Sequence, residues 1–229
     1  MSLCISTGWC AHKSGHNNAS RSRLQNDELW MAQFWTPGVL KQVKPDRLVY
    51  YMSNCDISAK ELYGVENAEF IYAARPAVEL SYRHDWASSI TMGAAYAYEN
   101  GMDMLYIEQD CMVKNIPAVL EFAQDKPICF GYGEWSMYPG WAECSLVWVR
   151  HNFLPTFIYR LMDSGFALLD GNGQKPEQLW MELFALNCTV WPFGYGRKRP
   201  IDFTKPVFYA QQLTDSEIVS FQRAIHELP

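Results

Sequence analysis

"MDMLYIEQDCMV", residues 102–113, decides the fold. Its stretch Met104–Ile107 is an apolar run that suits a strand buried on both faces, as strands of parallel sheets are. It then turns acidic. Alternation along an extended chain sends Glu108 and Asp110 to the same side. In open α/β sheets ligands sit outside the carboxyl ends of the strands, which is where these acids fall. Two carboxylates side by side repel unless a positive charge lies between them. A hard divalent cation, Mn²⁺ or Mg²⁺, satisfies such a pair and leaves room for phosphate oxygens. The alternative is that one acid caps or pairs at the turn into the next helix.

Outward from that stretch, β-prone runs alternate with helical ones. "LCIST" (3–7), "DRLVYYMSN" (46–54) and "AEFIYAARP" (68–76) read as strands. "LQNDELWMAQFW" has helical spacing and predicts a helix over 24–36. "HDWASSITMGAAYAYENG" (84–101) is the clearest helix, with Asn100-Gly101 as its stop. "IPAVLEFAQD" is a helix with Pro117 in its first turn. "PICFGYGEW" (127–135) and "ECSLVWVR" (143–150) are strands, and "LPTFIYRLMDSG" (154–165) is a helix ending at Gly165. "PEQLWMELFALN" (176–187) is another helix, "VFYAQQL" a short strand, and "SEIVSFQRAIHEL" a closing helix with Ser216 as N-cap. The order predicts an α/β protein with a mostly parallel central sheet flanked by helices. Without repeats or a linker it reads as one compact domain over 1–229, with working halves 1–113 and 114–229.

Composition narrows the function. A net charge of −6 without a basic stripe argues against nucleic-acid partners. The one dense basic run, "GYGRKRP" (194–200), reads as a solvated loop. Seven cysteines, an odd number with no CxxC spacing, fit neither a disulfide framework nor a zinc site, and point to a reducing, cytoplasmic setting. No stretch approaches 18 consecutive apolar residues, so no membrane span is expected, and "MSLCIST" lacks the basic start of a signal peptide. The nine Trp and thirteen Tyr serve first as core, with some left to line a pocket.

The succession of strands and helices closing on Glu108-Gln109-Asp110 resembles the nucleotide-sugar half of the GT-A-fold glycosyltransferases, over about residues 1–190. In that family an acidic triplet, usually DxD, binds the metal that bridges the donor's diphosphate. The first acid here is Glu, which makes Asp110 the safer ligand. The resemblance implies a nucleoside-diphosphate sugar donor, UDP-sugar favoured, and a glycan or protein-linked acceptor that it does not identify. It places Thr7, Gly8 and Trp9 at the base, with Trp9 either stacking on it or packing against the loop. Asp56 is either the acid near base or ribose or an N-cap, and Arg83 and His84 either meet the phosphates or are ordinary loop charges. In "GYGEWSMYPGWAEC" (131–144), Glu134 and Glu143 are acids and Trp135, Tyr138 and Trp141 are aromatics for a sugar site or a lid. Glu177, at a helix start, is the first candidate for a catalytic base, with Asp170 second; the dipole alone also explains Glu177. Some family members use a late His as a further metal ligand. Here that stretch holds Gln211 and Gln212, and His226 reads as a surface residue. Arg197 and Lys198 are alternatives for touching the leaving diphosphate. Sugar-nucleotidyl transfer and a non-catalytic nucleotide-sugar-binding module remain the rival readings.

Overall fold

The structure is a computed structural model and describes residues 2–9, 30–52, 62, 64–72, 82–132, 140–169 and 176–228, without the side chains of 82–86, 165–169 and 176. Asp56, Glu134, Trp135, Tyr138 and Asp170 lie outside these residues, as do the side chains of Arg83 and His84.

The apolar run at 104–107 lies in β4 (Asp103–Ile107), fourth of seven strands. With β1 (Leu3–Trp9), β2 (Arg47–Met52), β3 (Ala68–Tyr72), β6 (Ile128–Tyr132), β7 (Ala142–Val149) and β8 (Cys188–Val190) it makes a sheet of order β3-β2-β1-β4-β7-β6-β8. β1 pairs parallel with both β2 and β4, and β2 with β3. β7 runs antiparallel to both β4 and β6, and β8 is parallel to β6. Six strands therefore share one direction and β7 opposes them. The sheet is mostly parallel, as the sequence leads one to expect.

Alternation on β4 separates two cores. Leu105 and Ile107 join one with Trp30, Trp35 and Trp148. Met104 and Tyr106 join the other with Ile90, Phe157 and Trp180. A strand covered on both faces is why the sequence shows a continuous apolar run there. α2 (Tyr82–Glu99) lies on the second face and approaches β1 closely at Gly8, where an added Cβ would stand 2.7 Å from Ser89 Cβ.

Several boundaries differ from expectation. The chain does not stay in one sheet past Asp110. It turns, Cys111 N donating to Glu108 O at 2.9 Å, and continues as β5 (Cys111–Lys114), which pairs antiparallel with β9 (Phe208–Gln211) in a separate two-stranded sheet. The helix expected to end at 36 instead passes through a π-helical turn, Met31–Trp35, into α1 (Thr36–Leu40). Pro37 stands at the junction, immediately after Thr36, whose N–H closes the π-helical turn on Met31 O. α3 (Ile116–Ala123) is capped by Asn115, whose side chain accepts from Ala118 N. α4 (Leu154–Leu169) runs through Gly165 rather than stopping there, at a cost of about 1 kcal/mol relative to Ala. α5 spans Pro176–Phe184. α6 (Asp215–His226) is capped by Thr214, not Ser216, in a reciprocal box with Glu217. No helix among the described residues is long and apolar enough to cross a membrane.

Candidate functional site

The triplet is held by its backbone. Glu108 N makes the last ladder bond, to Ser145 O at 2.8 Å. Beyond it each carbonyl has a donor: Trp35 Nε1 reaches Glu108 O at 3.3 Å, Trp30 Nε1 reaches Gln109 O at 2.7 Å, and Gln212 N reaches Asp110 O at 3.1 Å. Both indoles are almost fully buried. Two of the nine tryptophans thus pin the acidic turn from beneath.

The side chains at this turn gather charge. Glu108 and Asp110 are half-buried as residues, and Asp110 Oδ1 is shut off from solvent. Burial pushes the Asp110 carboxyl up to about 6; the Arg197 guanidinium and a bond from the Gln212 side chain pull against this, while Glu143 adds to it. Glu108 is raised well above the usual carboxylate range, first by burial and then by Asp110; Arg197 opposes, and Glu143 and Glu177 push further. Burial and mutual repulsion thus disfavour ionising both acids of the pair, and a divalent cation between them would reverse that preference.

Glu143 is the second residue of β7 and is 5% exposed. Its Oε1 accepts from Ser145 N at 3.0 Å and from Gln211 Nε2 at 2.8 Å. Its Oε2 is buried without a hydrogen bond. The Tyr209 hydroxyl sits beside this carboxylate, and burial followed by the Glu143 charge drives the phenol upward. Gln211 Oε1 in turn accepts from Arg197 Nε at 3.3 Å.

The basic run 194–200, expected to be a solvated loop, is instead stitched to β9. Tyr195 N donates to Tyr209 O at 2.8 Å, and Gln211 N to Gly196 O at 2.9 Å. Gly194, Tyr195 and Gly196 are buried because this segment packs against β9.

Glu108 and Asp110 share one turn, within electrostatic reach of Glu143, Glu177 and Arg197, and the Gln212 amide joins that turn through Asp110 O. Gln109 contributes its carbonyl, held by Trp30. Thr7 and Gly8 lie at the same end of β1, Thr7 fully buried and Gly8 half-buried against Ser89. Trp9 is 4% exposed and belongs to the core. Trp141 is half-buried. His226 is exposed and contacts Lys41 Nζ, at the far end of α6. The signal for Glu143 was present in the sequence: a lone acid at the head of a run buried along its whole length.

Among the described residues no three His, Cys, Asp or Glu side chains converge into a complete ligand set. Two carboxylates at one strand end still fit Mg²⁺ or Mn²⁺, which bind through one or two carboxylates and take remaining oxygens from substrate phosphates and water. Asp110 and Glu108 would hold such an ion.

No family model matches the chain, and no curated protein matches it by sequence. Solved structures match by shape. A glycosyltransferase involved in the glycosylation of the major capsid of PBCV-1 superposes with a TM-score of 0.51 at 11% identity, covering 99% of this chain and 98% of that one. The inositol-1-phosphate CTP transferase from T. maritima gives 0.56 at 11% identity over 100% and 98%. The glycosyltransferase GlyE in Streptococcus pneumoniae TIGR4 gives 0.53 at 10% identity over 100% of this chain and 52% of that one. At such identities the likeness shows the fold, which is GT-A-like.

Proposed function

We propose that the chain is a metal-dependent glycosyltransferase that moves a sugar from a nucleoside-diphosphate donor, UDP-sugar favoured, to an acceptor hydroxyl on a glycan or protein-linked acceptor. One observation carries the reading. The acid pair closes the central strand of a GT-A-like sheet, where burial and mutual repulsion disfavour two ionised carboxylates without a cation between them.

In this reading the acid pair would hold Mn²⁺ or Mg²⁺, which would supply Lewis-acid stabilisation for a leaving diphosphate. Asp110 and Glu108 hold that position, with the triplet's carbonyls fixed by Trp30, Trp35 and Gln212 so that the carboxyls need not reorganise. Thr7 and Gly8, with Asp56, Arg83 and His84, supply the nucleotide side. Glu177, in the first turn of α5 and near enough to raise Glu108, takes the acceptor proton if the reaction inverts. Asp170 and Glu134 are second choices for that role. A cytoplasmic setting belongs to the same reading, since the five described cysteines are free thiols and four of them are buried.

The test is donor turnover with Mn²⁺ for the native chain and for Asp110→Ala. Loss of metal-dependent turnover in the variant supports the reading, and unchanged turnover removes the acid pair from it. Nucleotidyl transfer is the second reading, since a CTP transferase has the same fold. Pyrophosphate released from a nucleoside triphosphate and a sugar phosphate would select it.

A further inference from the structure

β9 ends at Gln211, and Gln212 follows it with φ of +54°, in the left-handed region that glycine adopts freely and glutamine seldom does. Such strain persists where the surroundings hold it, and it gathers at functional positions. Here it is held from both sides. Arg199 Nη2 donates to Gln212 O at 2.9 Å and to Gln211 O at 3.0 Å, and Arg199 is itself fixed by Glu217 at 2.6 Å. On the other side, Gln212 N donates to Asp110 O at 3.1 Å. The Gln212 side chain is buried and bonds the carboxyl of the same aspartate. One residue therefore meets Asp110 twice, at its main chain and at its carboxyl. Glycine would satisfy this backbone with less strain but would carry no donor. The residue present is one that reaches the carboxyl.

We propose that Gln212 is a positioning residue for Asp110: its side-chain amide donates to the carboxylate and keeps it oriented to receive a divalent ion. The proposal rests on the metal-dependent transferase reading above and adds to it a role for one side chain. Three features support it. A carboxylate that ligates a metal is steadied by a neighbouring donor, and loss of such a donor weakens the metal. An amide offers two N–H donors and no charge, so it steadies the acid without competing with a cation for it. The Gln212 backbone is braced by Arg199 on one side and by Asp110 O on the other, so its amide is in place before an ion arrives and binding need not order it.

The test separates metal affinity from stability. Calorimetry on the full chain measures Mn²⁺ binding, and urea denaturation of the same samples without metal measures the fold. Gln212→Met keeps the backbone N–H and the length of the side chain but removes the amide. Mn²⁺ is expected to bind at least about tenfold more weakly to it, as when other partners of a ligating group are lost. Gln212→Gly removes the side chain and relieves the backbone. It should weaken Mn²⁺ to the same degree, which keeps the test decisive if the methionine variant does not fold. Thr214→Ala is the control: it removes the cap of α6, lowers stability, and should leave the Mn²⁺ constant at the native value. Native Mn²⁺ affinity in both variants at 212 overturns the positioning role and leaves the transferase reading standing. So does a constant that weakens in Thr214→Ala as much as in Gln212→Met, since the loss then follows the stability of this segment and not the amide. A native chain that binds no Mn²⁺ overturns the metal-dependent reading and this role together.

Discussion

Gln211 donates its side-chain amide to the Glu143 carboxylate at 2.8 Å across 68 residues of sequence, and this one bond joins the main sheet to the small sheet. Without it, Glu143 would keep the bond from Ser145 N and lie buried with less compensation for its charge. Gln211→Leu is therefore expected to cost about 1–3 kcal/mol, read by urea denaturation. Glu143→Leu should cost a similar amount. The double variant should cost less than the sum, because the charge that needs the amide has gone with it. Strict additivity would mean the two residues act separately.

Asp110 sets a pH dependence whose sign follows from its raised carboxyl. Below pH about 4 the group is protonated in both folded and unfolded chains and has no effect on stability. As pH rises from there to about 6, the unfolded chain ionises first, so the native state loses stability, and above that the loss is constant. Glu108, raised for the same reasons, works in the same direction. Asp110→Asn in metal-free buffer should thus stabilise the chain at pH 7.5 by on the order of 2 kcal/mol, several degrees in Tm. The gain should vanish near pH 4. A gain equal at both pH values would show that charge burial is not its source.

Tyr209 is gripped between two glycines. A Cβ at Gly131 would stand 2.2 Å from Tyr209 Oη, and one at Gly194 would stand 2.3 Å from Tyr209 Cε1. Gly131→Ala and Gly194→Ala should each destabilise by about 1–3 kcal/mol through overpacking. Their rescue differs. Tyr209→Phe removes the atom that Gly131→Ala strikes first and should recover part of the loss. It leaves the ring edge that meets Gly194, where φ of +130° also disfavours any side chain, so no recovery is expected there. Equal rescue of both would contradict this packing.

What the sequence discloses follows from range. The Leu105–Ile107 run, the helix at 84–101 and the acid pair were legible because each is a local pattern of apolar spacing or charge. The α6 cap was misread by two residues because Thr214 and Ser216 are chemically alike, and only the reciprocal bond from Glu217 distinguishes them. The turn into a second sheet at Cys111 was hidden, since its pairing partner at Gln211 lies at the other end of the chain. For the same reason Gln211 and Gln212 read as the absence of a histidine, although both are buried and one of them anchors Glu143. The basic run 194–200 reads as solvent-facing by composition. Only the β9 ladder draws it inward.

Glu217 performs two tasks that substitution can separate. With Oε2 it accepts from Thr214 N at 2.8 Å, closing the cap of α6, and with Oε1 it pairs with Arg199 at 2.6 Å. Arg199 then holds the carbonyls of Gln211 and Gln212. Thr214→Ala removes the cap alone and should cost about 1 kcal/mol. Glu217→Ala loses the cap and half of an ion pair only 18% exposed on each side, and should cost about 2–3 kcal/mol. The distinguishing readout is local. The amides of Gln211 and Gln212 donate to Gly196 O and Asp110 O, so their hydrogen exchange reports whether the site wall stays closed. Exchange there should quicken in Glu217→Ala beyond what its loss of global stability explains, and should follow global stability alone in Thr214→Ala. If both variants left these two amides equally protected once corrected for stability, the closing helix would be only a lid on the core and not a support for the acid cluster.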